Sequence, residues 1–428
     1  QTKLRESVSV KDFGAVGDGV TDDHAAFVLA LAASRHILIP AGTYVIGSQL
    51  DITGDTTITG ESQEIGSHPM VSRINFTGTT GNCFSAISAE YGGVTIKSLT
   101  IKGGYGGGYA IRSSRPQSCF SKIDMQSFNG NGIELFEAGT GSQASWGTSI
   151  EKCKWVGPAI PSALRGFQIK TNGGHVRIHG CTAIRGAIGL NLDQSEAVDI
   201  SNCSFNQQNT SYSSSPVGDT CGIRLSGGGY KKAISIRNSY IEACKYGIII
   251  EKCESLTIEN NYIADVAFGA SSSSIYLVNG VGSGSDVNNL TIRNNLIYDQ
   301  AGLMASIDIG NGANNVVIEN NMISSIGANS TAIKKGTTTY SWIRNNKITV
   351  DAGTGTEISD LNSLIVNTDY QNNGFFNYRK RNFSTTHTTW YDVGAVGNDQ
   401  IWEISIVDSN LPATWRRMDM LYINVSGV

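Results

Sequence analysis

Ile258-Glu259-Asn260-Asn261-Tyr262-Ile263 is a short line that returns three times downstream, as Ile292-Arg293-Asn294-Asn295-Leu296-Ile297, Ile318-Glu319-Asn320-Asn321-Met322-Ile323 and Ile343-Arg344-Asn345-Asn346-Lys347-Ile348. Looser copies run upstream: Ile236 to Ile241, Ile200 to Phe205, Ile178 to Ala183, Ile150 to Trp155, Ile123 to Phe128 and Ile96 to Ile101. The spacing is roughly 27 residues per copy, inside the range that marks stacked repeats. One such repeat cannot bury its own apolar face. Stacked on its neighbours it adds to a continuous core and leaves a long, ridged outer wall suited to an extended polymer.

Each copy is followed by a second pattern, Gly-apolar-x-apolar. It reads Gly132-Ile133-Glu134-Leu135, Gly166-Phe167-Gln168-Ile169, Gly189-Leu190-Asn191-Leu192, Gly222-Ile223-Arg224-Leu225 and Gly247-Ile248-Ile249-Ile250, then Ile275-Tyr276-Leu277 and Ile307-Asp308-Ile309. Alternation turns the apolar pair inward and the middle residue outward. This predicts an outward column of Glu134, Gln168, Asn191, Arg224, Ile249, Tyr276 and Asp308. Two or three short strands per coil, each paired with the next coil, predict a parallel β-helix. Asn at the third and fourth positions of the line is expected to be buried and to bond coil to coil. Cys153, Cys181 and Cys203 fill the slot that later holds Asn261, Asn295, Asn321 and Asn346, so a column of free, buried thiols is expected rather than disulfides. Insertions at 206–220, 271–274 and 280–286, rich in Ser, Gly and Asn, are expected to protrude as loops beside a groove.

The chain has 428 residues, 50 of them Gly and only 7 Pro, and a net charge of -4. That charge, with no long basic run, excludes nucleic acid as a main partner, because phosphate binding needs clustered Lys and Arg. The longest apolar run, Phe27 to Ala33, is too short to span a bilayer. No cofactor is expected, and no metal. His175 and His179 lie in a strand, where such neighbours are too far apart to chelate, and no Cys-x-x-Cys spacing with His partners occurs. The chain opens on Gln1, not Met, and a further N-terminal part is expected.

Residues 22–34 read as a helix, with Thr21 as N-cap, Asp22 and Asp23 in the first turn, and a stripe of Ala25, Ala26, Leu29, Ala30 and Ala33. Its task is to cap the exposed end of the solenoid. Ile37 to Val45 reads as strand, turn, strand. The chain thus divides into a cap at 1–45, a parallel β-helix at 46–370, and a C-terminal β element at 375–428. That last element carries Trp390, Tyr391, Trp402, Trp415 and Tyr422.

Ser9-Val10-Lys11-Asp12-Phe13-Gly14-Ala15-Val16-Gly17-Asp18-Gly19-Val20-Thr21-Asp22-Asp23 closely resembles the N-terminal motif of the pectate-lyase-like superfamily of right-handed β-helices. With Arg5-Glu6-Ser7-Val8 before it, the chain looks most like bacteriophage tailspike depolymerases. Ile39-Pro40-Ala41-Gly42-Thr43-Tyr44 is similar to the family's first-coil signature. The resemblance implies an all-β, right-handed parallel β-helix with a capping helix and a small C-terminal β element. It also implies a homotrimer in the virion tail, assembled in the host cytoplasm, acting outside the cell on bacterial surface polysaccharide, and joined to other phage tail proteins through the further N-terminal part. It implies that 46–370 binds and cleaves glycan and that 375–428 serves trimerisation or receptor binding. The motif itself carries no catalytic residue. The paired Asp-Asp and Gly-His-Gly motifs of polygalacturonase-like members are absent, which speaks against pectin as substrate.

The repeat places carboxylates independently of the family. Asp265 and Asp299 each lie seven residues after the first Ile and should stack on adjacent coils, with backbones roughly 4.8 Å apart. Two carboxylates that close cannot both ionise freely, and a neutral acid beside a carboxylate is what glycoside hydrolysis uses. Glu242, at the sixth position of the preceding coil, is the third member of this candidate catalytic trio. Asp is also a common turn residue for local reasons, so a turn-forming role stays open. Glu134 with Glu137, and Asp193 with Glu196, are competing sets. Glu134, Arg224, Tyr276 and Asp308 are the candidate substrate-binding residues. Two other chemistries stay open: β-elimination on a uronic-acid polymer, with Arg224, Lys170 or Arg185 neutralising the carboxylate, and non-catalytic glycan adhesion.

Overall fold

From Ser98 onward the residue two places after the inward column lies in the left-handed region. Asn260, Asn294, Asn320 and Asn345 have φ of 55, 56, 55 and 54°. Asn adopts that conformation at less cost than other side chains with a Cβ. This third position is exposed, so the expectation that both Asn of the pair are buried is corrected. The first Asn makes the turn and only the second is buried.

A computed structural model describes residues 7–372, apart from 62–70, 88–91, 106, 127, 139–144, 159–163, 172–173, 207–219, 227–230, 265–271, 279–286, 300–304, 311–312, 326–330, 336–338, 351–355, 361–363 and 367–368, together with 382–383, 404–406 and 418–420. A representative coil runs Cys253–Glu259, the Asn260 turn, Tyr262–Ala264, and then Ser273–Leu277. Each strand pairs in parallel with its counterpart in the next coil. Ile236, Ile258, Ile292, Ile318 and Ile343 are successive register partners. The same column reaches Val8 at one end and Ile365 at the other. The molecule is a right-handed parallel β-helix solenoid whose inward Ile, Leu, Val and Phe form one continuous core.

The buried column beside the turn changes chemistry along the axis. Leu99 pairs with Ile123. The same slot then holds Cys153, Cys181, Cys203, Ser239, Asn261, Asn295, Asn321 and Asn346. Asn295 Oδ1 accepts from Asn261 N at 2.9 Å, and Asn295 Nδ2 donates to Ile258 O at 2.9 Å and to Asn321 Oδ1 at 3.0 Å. The thiols do part of the same work: Cys153 donates to Phe120 O at 3.4 Å and Cys181 to Ile150 O at 3.3 Å. All eight Cys are free. One looser copy was misaligned. Phe120, not Ile123, sits in the Ile96 column, because Ile123 fills the ladder slot that Asn takes later.

The helix spans His24–Ala33. Thr21 does not cap it. Asp18 accepts from Thr21 N and Oγ1, both at 2.8 Å, and Asp23 is the N-cap residue, its carboxylate turned back to Val16 N and Gly17 N at 2.6 and 3.1 Å. The motif residues thus fold the N-terminal turn on themselves. Ala26, Phe27 and Ala30 face the core, with Phe27 edge-on to Tyr44 at 5.5 Å, whereas Leu29 is 55% exposed. The strands His36–Ile39 and Gly42–Ile46 form as expected and already pair with the coils that follow. The expected insertion at 271–274 is also corrected. Ser273 and Ser274 begin the strand Ser273–Leu277 and are 0% exposed, stacked in register near Gly247. Most of the other two insertions lies outside the described residues. Among the described residues, the last strand of the long ladder is Asp369–Asn372. Asn382–Phe383, Ile404–Ile406 and Met418–Met420 form a separate small sheet, the first pair parallel and the second antiparallel. The five C-terminal aromatic residues named above lie outside the described residues.

Candidate functional site

The third strand of each coil builds the outward column that alternation requires. Arg112, Glu134, Gln168, Asn191, Arg224, Ile249, Tyr276, Asp308 and Lys334 are successive register partners. The column is recessed. Glu134 and Gln168 are 5% exposed and Asp308 1%, whereas the Arg112, Arg224 and Lys334 side chains remain 35, 28 and 48% open. Recessed carboxylates need partners, and the neighbouring coils supply them. Arg112 Nε donates to Glu134 Oε2 at 2.6 Å while its guanidinium lies 4.0 Å from the Phe136 ring centre. Arg224 Nε donates to Glu251 Oε1 at 2.6 Å, and Lys334 Nζ to Asp308 Oδ2 at 3.1 Å.

Beside this column runs a second one, formed by the residues that open the third strands. Tyr109 pairs with Asn131, and Arg165, Ile188, Cys221 and Tyr246 follow in successive register. Asn131 Oδ1 accepts from Arg165 N at 2.9 Å. Burial pushes the Tyr109 hydroxyl up to about 12, with the Glu134 charge adding to the effect, so it is a donor at any working pH. Farther along, the Tyr246 and Tyr276 rings stack at 5.1 Å and 21°, with Lys245 Nζ 5.2 Å from the Tyr246 ring centre. Ile188, Cys221 and Ile249 form an apolar cluster with them, against which Val278 packs. Ile249, outward by alternation, needs no cover from a neighbouring chain. Ile249 is 1% exposed within its own chain, and Ile111 belongs to the inner core. Asp193 Oδ1 accepts from Ser226 Oγ at 2.9 Å, and its Oδ2 lies 3.8 Å from Lys170 Nζ. Burial lowers the affinity of Lys231 for its proton; its Nζ donates to Asp193 O at 3.0 Å.

The expected catalytic trio does not assemble as one facing set. Asp265 lies outside the described residues. Asp299 ends the strand Leu296–Asp299, is 1% exposed and pairs with Ser325. Glu242 pairs with Asn206 on one side and Ala264 on the other, and Ala264 pairs with Tyr298. The Glu242 column therefore passes through Tyr298, one residue before Asp299, and adjacent strand residues point to opposite faces. Glu242 instead accepts from Asn206 Nδ2 at 3.2 Å. His179 Nδ1 is 3.2 Å from Ser201 Oγ, and no group of three potential metal ligands occurs among the described residues. Tyr109, Arg112 and Arg165 were not among the sequence candidates. Arg112 follows Ile111 as Glu134 follows Ile133, but Ser113 replaces the second apolar residue and hides the pattern.

Residues 7–71 match the family described as rhamnogalacturonase A/epimerase, pectate lyase-like, and residues 165–348 and 221–389 match the right handed beta helix region. The pre-neck appendage protein of Bacillus phage B103 is 47% identical over 53 residues, 12% of this chain and 6% of that protein. The plasmin and fibronectin-binding protein A of Streptococcus pneumoniae is 25% identical over 240 residues, 48% of this chain and 32% of that protein. The chain thus spans less than a third of either curated relative's length. Among solved structures, the tailspike protein of E. coli bacteriophage HK620 in complex with a hexasaccharide superposes with a TM-score of 0.56 at 12% identity, over 86% of this chain and 71% of that one. The mannuronan C-5 epimerase AlgE4 A-module of Azotobacter vinelandii gives 0.55 at 16% identity, over 85% and 99%. At such identities these likenesses concern the fold alone.

Proposed function

The chain belongs to the right-handed β-helix family, and on that premise we propose that it is a bacteriophage tail protein that binds and depolymerises a bacterial surface polysaccharide. The observation that carries this reading is the recessed outward row, from Arg112 to Lys334, of charged and amide groups in strict register beside stacked tyrosines. Amides and ion-paired side chains offer directional hydrogen bonds to hydroxyls, and tyrosine rings offer flat faces to sugar C–H groups. One such position recurs per coil, which matches an extended chain of similar rings. The phage appendage relative and the saccharide-bound tailspike fold support the setting. In this reading Glu134, Arg224, Tyr276 and Asp308 hold the sugar.

The chemistry assigned is hydrolysis of a glycosidic bond within the polymer, with Asp265 as the acid; Asp299, 1% exposed, is left out of the assignment. The assembly proposed is a homotrimer on the virion tail. A second reading, adhesion without cleavage, is favoured by the plasmin and fibronectin-binding relative over 240 residues. Product analysis on a panel of bacterial capsules and O-antigens tests the assignment. New reducing ends without unsaturation support hydrolysis. Unsaturated ends would move the assignment to β-elimination, and binding without any cleavage would leave adhesion.

A further inference from the structure

We propose that Arg165, with Tyr109 and Gln168, forms a subsite for a carboxylate borne on a sugar ring, so that the glycan taken by this face is acidic. The inference rests on the reading of the outward row as the glycan face and names the substrate class of that same face. It begins with an asymmetry among the cations. Arg112 pairs with Glu134, Arg224 with Glu251, Lys334 with Asp308, and Lys170 approaches Asp193. Arg165 instead donates from Nη1 to the neutral amide oxygen of Gln168 at 2.7 Å, and no carboxylate pairs with it among the described residues. Glu134, the register partner of Gln168, is already engaged by Arg112 at 2.6 Å and by the Tyr109 hydroxyl.

The Gln168 amide is 5% exposed; its oxygen accepts from Arg165 Nη1 and lies 3.5 Å from the Tyr109 hydroxyl oxygen, so one fixed amide sets the guanidinium beside the tyrosine. A guanidinium has five N–H donors in a planar fork that matches a carboxylate. One bond to Gln168 leaves the rest of that fork to a ligand. A half-buried guanidinium whose only side-chain acceptor among the described residues is a neutral amide is incompletely compensated, and an anion restores the balance. The rungs after Arg165 are Ile188, Cys221 and Tyr246, buried at 4, 0 and 5% exposure, so the next charged or amide groups a bound glycan meets are those of the outward row beside Arg165, and a sugar acid can anchor on Arg165 while its ring hydroxyls reach that row. The chain as a whole is acidic, at -4, so long-range attraction does not draw a polyanion in, and recognition has to come from a local group such as this one.

The test uses the intact chain and calorimetric binding of three probes of equal length at fixed salt: a mannuronate oligomer, the same oligomer with its carboxyl groups reduced to alcohols, and a dextran oligomer. The expected result is that carboxyl reduction weakens binding by about tenfold to a hundredfold, the worth of a charge-assisted hydrogen bond. Arg165→Gln should weaken the uronate probe by the same factor and leave the reduced probe unchanged, and Arg165→Lys should fall between. A variant that weakens both probes equally would indicate a merely structural Arg165 and overturn the proposal. Dextran or the reduced probe binding as well as the uronate would overturn the acidic subsite while leaving the glycan face standing. Failure of all three probes to bind would count against both.

Discussion

Glu242 and Asp299 differ by one step of register, and that step decides what each can touch. Asp299 is on the sealed side of its strand and Glu242 stands in the outward column with Tyr298. Glu242→Gln, at a carboxyl already held by Asn206 Nδ2, should leave kcat within about twofold, while Asp265→Asn should lower it by about a hundredfold or more with the melting temperature unchanged. Near-normal turnover in the Asp265 variant would remove hydrolysis by that carboxyl. Tyr109 makes a second point at this scale. Its hydroxyl holds its proton up to about 12 because burial and the Glu134 charge oppose ionisation. Uronate binding should consequently show no titration step from this group between roughly pH 6 and 9, and Tyr109→Phe should weaken binding by the same factor across that range.

At the scale of the element, the turn and the ladder are separable. The turn slot holds Asn in the later coils but Lys152, with φ of 53°, in an earlier one. Lys152→Asn should raise stability by about 0.5–1 kcal/mol, because Asn meets the left-handed conformation at lower cost, and thermal or denaturant unfolding reads this directly. The ladder slot is less tolerant. Asn295→Ala removes an acceptor from Asn261 N and donors to Ile258 O and Asn321 Oδ1, all buried. The expected loss is about 2–4 kcal/mol; a loss below about 0.5 kcal/mol would show that the ladder does not hold the coils.

Outside, a charge ladder alternates along Arg237, Glu259, Arg293, Glu319 and Arg344. Its first cation grips Asp199 at 2.9 and 3.0 Å. The bond from Arg237 holds the Asp199 carboxyl below its usual range. A folded-state pKa depressed below the unfolded value of about 3.9 stabilises above that value and ceases to do so as pH falls through the folded one. Asp199→Asn should thus cost at most about 1 kcal/mol at pH 7, and the difference from the parent should shrink as pH falls through the depressed folded value and vanish below it.

For the whole molecule, the outer wall carries an apolar stripe with one member per coil. Tyr240, Leu296 and Met322 are 37, 40 and 46% exposed, and Tyr240 stacks on Tyr262 at 5.0 Å. We take this stripe, rather than Ile249, as the surface that neighbouring chains cover in the proposed trimer. Light scattering at micromolar concentration should give three times the chain mass. Replacing Leu296 and Met322 together by Lys should yield folded monomers. A monomeric parent protein would contradict the assembly.

The repeat alone determined the solenoid, the inward Ile column, the buried thiol and Asn slot, and the order of the outward column. In a stacked fold each residue meets its counterpart one coil away, so sequence period and tertiary contact are the same information. Residue counting also carried the parity of Glu242 and Asp299, at the sixth and seventh positions, but only the pairing of Ala264 with Tyr298 showed its consequence. Where a slot changes character, the pattern misled. Ile123 imitates a first Ile while filling the ladder slot, and only a paired strand separates the two. The tertiary structure alone decided that the outward column is recessed, that Tyr109 and Arg165 join it, and that Arg165 ends on an amide while its neighbours end on carboxylates. Those facts depend on side-chain reach between coils and on solvent exclusion, neither of which a period along the chain encodes.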